Sequence, residues 1–387
     1  MKHIKSVNIY HLKPQQQQQQ QHNQNRYNNN NNNDRRNFNQ RQQQKQQDLS
    51  QYSITKPKEI ATFSYDDDNN RFPSIINEFK EPKQLPINLV EGFDLKSMPL
   101  NNNPSPLDPI LDTLESNNIN LRDIDFITYR NNLNKIFGSY INKDSWTIDI
   151  ETKNDIIHLG IVMDAKIGYS DENHAKSIYS GFKFEELATS RETTLKYCSI
   201  VKTRLANQFN IILAAEIDCI EKEKKENQEK EKEKDNLKRN RDEEEQEKER
   251  VERKYIELKT YRLLNNDKTI NTFERFKTFA FWMQSFWAGI ETIVCGFRDE
   301  EFNVTEIKHY NTHQLSIIGR NHWNPNECMF VGYQILQFIK SNVLMNQRYS
   351  LQFIHPNIVL YQLDKSTAPS ILPSGYQDWL AQSTKKK

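Results

Sequence analysis

Two segments, Trp146-Thr-Ile-Asp-Ile-Glu-Thr and Ile156-Ile-His-Leu-Gly-Ile-Val-Met163, carry the alternation of a β-hairpin. Residues 195–204, 209–219, 254–261 and 292–297 read as further strands, and 209–219 is strongly apolar. Helical spacing predicts helices over 108–116, 123–137, 174–189 and 326–341. In the third of these, Ile178, Phe182 and Leu187 share a face. Asn271 followed by Glu274 marks the start of another helix, which stops at Gly289. Ordered sequence is expected to begin near Glu59, and 66–108, rich in Asp, Asn and Pro, reads as extended coil. Strands and helices mix without a regular βαβ beat. The expected class is therefore mixed α/β (α+β), with twisted mixed β-sheets flanked by helices.

Two stretches break this pattern. Residues 15–47 hold 24 Asn or Gln in 33 positions, and 221–254 hold 27 charges in 34 positions. Neither can bury enough apolar surface to offset its ordering entropy, and they lower the mean hydropathy to −0.90. The expected organisation is a disordered basic tail over 1–58, a single domain over 59–385, and a charged insert at 221–254, a solvated helix or disordered. Both tail and insert are expected to be dispensable for chemistry.

Composition excludes several classes. No apolar run is long enough to cross a membrane as a helix, and the N-terminus lacks the apolar stretch of a secretory signal. The four cysteines are scattered without a CxxC, which argues against a disulfide framework or structural zinc and for a reducing compartment. No two of the ten glycines lie closer than seven positions, so glycine-rich nucleotide loops are absent. The net charge of +1 hides +8 on the tail and −6 on the remaining domain. An acidic domain does not suggest broad electrostatic binding of nucleic acid, but it suits a site that gathers carboxylates around cations.

Polar residues inside apolar strands supply that site. Glu216 and Asp218 lie two apart in Ala214-Ala-Glu-Ile-Asp218, as do Glu257 and Lys259 in Tyr255-Ile-Glu-Leu-Lys-Thr260, so each pair shares a strand face. If the strands adjoin, three carboxylates and an ammonium converge, and such a cluster requires cations or strong pairing. Oxygen donors suit a divalent cation, Mg²⁺ or Mn²⁺, two per site in the arrangement that activates water against a phosphate. Lys259 would hold the water or the phosphate. This strand–ExD, strand–ExK form is that of a restriction-endonuclease-like nuclease core. A surface Glu–Lys pair is the plain alternative.

GFKFE (181–185), YCSIVKTRLAN (197–207), AAEIDC (214–219), YIELKT (255–260), FKTFAFWMQSFWAGI (276–290), IVCGFRD (293–299) and WNPNECM (323–329) occur in the order seen in the decapping exoribonuclease (DXO) family, which the chain resembles over roughly 60–385. The resemblance implies hydrolysis at RNA 5′ ends: 5′ triphosphates, incomplete caps or NAD caps, in some members followed by 5′-to-3′ degradation. It implies metal ligation by Glu185, Glu216, Asp218, Glu257 and the carbonyl of Leu258, with Lys259, Glu257 and Asp218 catalytic. Substrate contacts would come from Tyr129, Arg130, Asn131, Cys198, Glu216, Lys259, Gln284 and Arg71. Tyr129-Arg130-Asn131 stands where the family has Trp-Arg-Gly, and Arg71 is out of register by a residue or two. Trp282 and Trp287 read as core, and His309, His313 and His322 as structural. The family includes fungal partners of the nuclear 5′-to-3′ exoribonuclease. A nuclear location follows as an expectation, with the cytoplasm also open, and a weakly catalytic stabilising partner is the alternative role. A DNA-directed nuclease is a distant third.

Overall fold

The structure, a computed structural model, describes residues 1–12, 49–98, 106–162, 169–222 and 253–383. The N-terminal half contributes strands β1 (Lys2–Asn8), β2 (Lys58–Tyr65), β3 (Arg71–Phe72), β4 (Ile87–Asn88), β5 (Phe126–Tyr129), β6 (Trp146–Lys153) and β7 (Ile156–Ile161), with helices α1 (Asp108–Ser116), α2 (Arg130–Gly138) and α3 (Glu172–Leu187). Next come β8 (Lys196–Leu205), β9 (Phe209–Ile217), β10 (Cys219–Ile220) and β11 (Tyr255–Arg262). After α4 (Asp267–Thr272), a π turn over Phe273–Lys277 leads into α5 (Thr278–Ala288). The chain ends with β12 (Thr292–Arg298), β13 (Asn303–Asn311), α6 (Thr312–Ile318), α7 (Pro325–Asn342), β14 (Arg348–Ile354), β15 (Asn357–Gln362) and α8 (Tyr376–Ser383).

The strands build two sheets. A ten-stranded sheet runs β1-β15-β14-β6-β7-β5-β9-β8-β2-β3, and a five-stranded sheet runs β10-β11-β12-β13-β4. Pairing is antiparallel except where β5 meets β7 and β9, and where β11 meets β12. Alternation along β9 separates two cores. Ile211, Leu213 and Ala215 join Trp287, Phe137 and Phe297 on one side, while Ile212 and Ala214 join the α1 and α8 residues Leu111, Leu114 and Leu380 on the other. A third cluster places Phe184 of α3 against Ile256, Leu258 and Val294 of the small sheet.

The helices over 108–116 and 326–341 and the hairpin from Trp146 form as the pattern predicts, within a residue or two. Four expectations are corrected. The segment 123–137 is not one helix. Its buried run Phe126-Ile127-Thr128-Tyr129, aromatic and β-branched, joins the large sheet, and the helix starts at Arg130. The helix expected from Asn271 begins at Asp267, capped by Asn266 and Thr269. On α3 the buried aromatic is Phe184, whereas Phe182 is 53% exposed. The tail is not uniformly unstructured, since Lys2–Asn8 pairs with β15, Ile9 is buried, and Ile54 bridges to Leu205. Residues 13–48 of the tail and 223–252 of the insert lie outside the described residues. The ends of the insert are adjacent: β10 and β11 pair, and the Glu221 N–H donates to the Lys254 carbonyl at 2.8 Å.

Candidate active site

The chain leaves the large sheet at Ile217 and enters the small one at Cys219, so Asp218 stands at the seam between them. This corrects the expected arrangement. The two carboxylate strands, β9 and β11, belong to different sheets, and the short β10 brings them together by pairing with β11. The Asp218 carboxylate accepts the backbone N–H of Leu258 at 2.6 Å, which fixes it against the Glu257-Leu258-Lys259 stretch.

Glu257 is the most enclosed charge of the site, with its side chain 1% exposed. Lys259 Nζ lies 2.6 Å from one carboxylate oxygen and Arg130 Nη1 3.2 Å from the other. Burial works against the Glu257 charge, yet these two cations hold its carboxyl down at about 2. Burial likewise opposes both cations, but Glu257 and then Asp218 keep Lys259 and Arg130 above their ordinary values. Arg130 also donates to the Gln284 carbonyl at 3.0 Å, joining the start of α2 to α5.

Glu185 comes from the last turn of α3. Its position depends on the preceding Phe184, a fully buried ring packed so closely over Gly296 of β12 that a Cβ there would lie 2.8 Å away. Burial, followed by the Asp218 charge, pushes Glu185 up to about 9, and burial with Glu257 pushes Asp218 up to about 7. Glu216 is exposed at the mouth of the site and accepts the Tyr65 hydroxyl at 2.8 Å.

The substrate-side candidates divide. Cys198 is buried and pairs across the strands with Glu216, and Tyr129 shares that face of the sheet. Burial raises both the Cys198 thiol and the Tyr129 phenol, with Glu216 adding to each. Gln284 is half-buried on α5, and Asn131 is exposed in the first turn of α2. Arg71 is engaged elsewhere: its guanidinium donates to the Thr113 and Ser116 hydroxyls of α1. Trp282 and Trp287 are buried core residues, as read from the sequence. Tyr65 was not foreseen. It follows Phe63 on alternate positions of β2 and looks like ordinary core until its hydroxyl is traced to Glu216.

Among the described residues no three His, Cys, Asp or Glu side chains are already drawn together as a group that could hold a metal ion. The donor chemistry nonetheless fits a hard divalent cation. Glu185, Glu216 and Asp218 offer only oxygen, and burial, followed by the charge of the neighbouring carboxylates, raises the Glu185 and Asp218 carboxyls, a cost that a bound cation would relieve. Carboxylates from two sheets and a helix, one of them paired to a lysine two residues on along the same strand, define a nuclease of the carboxylate and divalent-cation class.

The chain belongs to the RAI1 like PD-(D/E)XK nuclease family, whose match spans residues 55–377. It is 25% identical over 365 residues to the decapping nuclease RAI1 of Emericella nidulans, covering 85% of this chain and 94% of that protein. The crystal structure of S. pombe Rai1 superposes with a TM-score of 0.67 at 22% identity, covering 93% of this chain and all of the other. A Candida albicans Rai1 structure in complex with pU5 and Mn²⁺ superposes with a TM-score of 0.66 at 18% identity, covering 86% of this chain and 96% of that one.

Proposed function

We propose that the chain is a decapping nuclease that hydrolyses phosphate bonds at RNA 5′ ends, acting on triphosphate, incomplete-cap or NAD-cap ends. The observation that carries this reading is the paired Lys259–Glu257 unit set beside Asp218 at the seam of the two sheets. Family membership and the decapping relatives support the substrate class. Glu185, Glu216, Asp218, Glu257 and the Leu258 carbonyl would hold Mg²⁺ or Mn²⁺, two per site. Bound there, the cations would supply charge neutralisation and a water of lowered pKa. The Lys259 ammonium, tethered by Glu257, can donate to the attacking water and to a non-bridging phosphate oxygen. Arg130 holds the second oxygen of Glu257 and so keeps that carboxylate from turning away from Lys259. A stabilising partnership with a nuclear 5′-to-3′ exoribonuclease would not need this buried charge set, which favours catalysis.

The test is purified protein with Mg²⁺ or Mn²⁺ on RNAs bearing triphosphate, unmethylated-cap, NAD and monophosphate 5′ ends, with products resolved. The wild type should cleave at least one 5′ end, and Glu216→Ala with Asp218→Ala should abolish that cleavage in a folded protein. Retained turnover in the double variant would refute the assignment.

A further inference from the structure

The extended segment from Asn77 to Lys80 stitches together the two elements that carry Glu185 and Asp218. On one side it runs beside β10. The Ile220 N–H donates to the Asn77 carbonyl at 3.0 Å, and the Phe79 N–H donates to the Ile220 carbonyl at 2.7 Å. On the other side it runs beside the chain leaving α3. The Ser190 N–H donates to the Glu78 carbonyl, and the Lys80 N–H to the Ala188 carbonyl, both at 2.8 Å. Glu78 thus bridges in parallel to Ile220, and Phe79 bridges antiparallel to Thr189. Ile220 lies two residues beyond Asp218, and Thr189 four beyond Glu185. The segment is the middle ply of a ribbon whose outer plies lead directly to the two carboxylates.

Asn77 fixes the turn that ends α3. Its Oδ1 accepts the N–H groups of Glu192 at 2.8 Å and Thr193 at 3.1 Å, and its Nδ2 donates to the Thr193 carbonyl at 3.0 Å. The Ser190 hydroxyl accepts the Glu78 N–H at 3.0 Å. The turn in turn caps the helix. The last four carbonyls of a helix lack partners within it. Here the Ala188 N–H donates to the Phe184 carbonyl at 2.8 Å, the Thr189 hydroxyl to the Glu185 carbonyl at 2.9 Å, and the Arg191 Nε–H to the Glu186 carbonyl at 2.7 Å. Arg191 adopts a left-handed φ of +58°, a conformation that a side chain of this size keeps only where its surroundings impose it. Asn77 therefore acts on the helix end through the turn, and on β10 through its own carbonyl.

We propose that Asn77 is a positioning residue of the cation site: through the 77–80 strap it holds the end of α3 against β10 and so sets the separation of Glu185 from Asp218. This assignment rests on the reading of those carboxylates as cation ligands and extends it to a residue that touches neither of them. Lys259 and Arg130 stand on β11 and α2, outside the ribbon. Loss of Asn77 should therefore weaken cation binding while sparing the chemical step once the cations are bound.

The test compares the full-length wild type with Asn77→Ala and with Thr203→Val. The second variant deletes a comparable bond, to the Thr55 carbonyl at 2.7 Å, about 20 Å along β8 from Tyr197. Calorimetry should show Mn²⁺ affinity about 10–100-fold weaker in Asn77→Ala and unchanged in Thr203→Val. Hydrogen exchange on the metal-free protein should rise over 183–190 and 217–222 in Asn77→Ala alone. The rate at saturating Mn²⁺ should stay within a few-fold of wild type. If Asn77→Ala does not fold, Ser190→Ala should show a smaller loss of Mn²⁺ affinity that Ser190→Thr restores. Unchanged Mn²⁺ affinity in the folded variants would overturn the proposal, and so would an equal loss in Thr203→Val. If the wild type binds no Mn²⁺, the cation reading itself fails. Exchange rising at the ends of α3 and β10 would then still uphold the strap as what joins them, and exchange rising at neither would overturn it.

Discussion

Replacing Lys259 with methionine separates catalysis from metal holding and from folding. The side chain is 19% exposed, and its ammonium is 2.6 Å from Glu257, while Arg130 approaches the other carboxylate oxygen at 3.2 Å. Methionine keeps most of the stem's packing. Glu257 keeps Arg130, so it is not left as an orphaned buried charge, whose usual cost is about 3–5 kcal/mol. Removing Lys259 also removes the burial penalty on its own ammonium. The net destabilisation should therefore be about 1–3 kcal/mol, within the margin of a domain this size. The chemical step should fall by roughly two to four orders of magnitude, about 3–5 kcal/mol of barrier, as expected for loss of a positioned donor. Mn²⁺ affinity should persist or rise, because an ammonium cannot ligate and its charge opposes the ion. Single-turnover kinetics on a 5′-triphosphate RNA, beside Mn²⁺ calorimetry and a melting curve, read all three quantities. Normal kinetics in the folded variant would refute the catalytic role and leave the pair a structural contact. Loss of metal binding together with rate would show that Lys259 assembles the site without acting in it.

Other perturbations test its surroundings. Tyr65→Phe removes the hydroxyl that orients Glu216 and should weaken Mn²⁺ binding by about 10–100-fold with little change in stability; unaltered calorimetry would contradict that role. Replacing 223–252 by a short Gly/Ser linker joins chain ends that already pair. It should leave the rate within a few-fold and stabilise by about 2 kcal/mol through the shorter loop; a large loss of rate would tie the insert to the site or the RNA. His158 is buried between the Glu151 carbonyl and the Tyr376 hydroxyl. Its Nδ1–H donates to the carbonyl, so Nε2 accepts from the tyrosine. Burial lowers the imidazole to about 4, and the unfolded chain binds its proton first, so its contribution is complete above about pH 6.5 and is lost as pH falls towards 4. Urea titrations should show about 2 kcal/mol of this loss by pH 5 and a flatter profile for His158→Gln; identical slopes in the two proteins would refute it.

The legible parts of the fold were those where one face is buried. β6 and β9 show this, since their alternation is the physical consequence of a sheet with a core behind it. β13 escaped notice because most of its positions are exposed, which leaves no apolar rhythm to read. β1 was hidden for a similar reason: Lys2, Lys5 and Ser6 are exposed, and the pairing partners run from Gln362 for Lys2 to Asn357 for Asn8, at the far end of the fold. The carboxylate pairs stood out because charge inside an apolar strand is costly. The role of Arg130 was less legible. Sequence pointed it toward substrate, and nothing local announced that its Nη1 also pairs with Glu257, a carboxylate 127 positions distant. Tyr65 and the Phe184–Gly296 contact depend on tertiary packing and carry no local signal.

The sheet order also sets a timetable. β1 is made first, but its partner β15 is made close to last, and β14 and β15 separate it from β6. A ribosome adding about 5–20 residues per second needs roughly 20–70 s to synthesise the intervening chain. Throughout that interval Lys2–Asn8 waits as an unpaired edge. Its two lysines and lone isoleucine make it a poor template for intermolecular pairing. Closure of the ten-stranded sheet at this edge thus waits until β14 and β15 have been made, and the pairing of β1 with β15 joins segments from opposite ends of the fold.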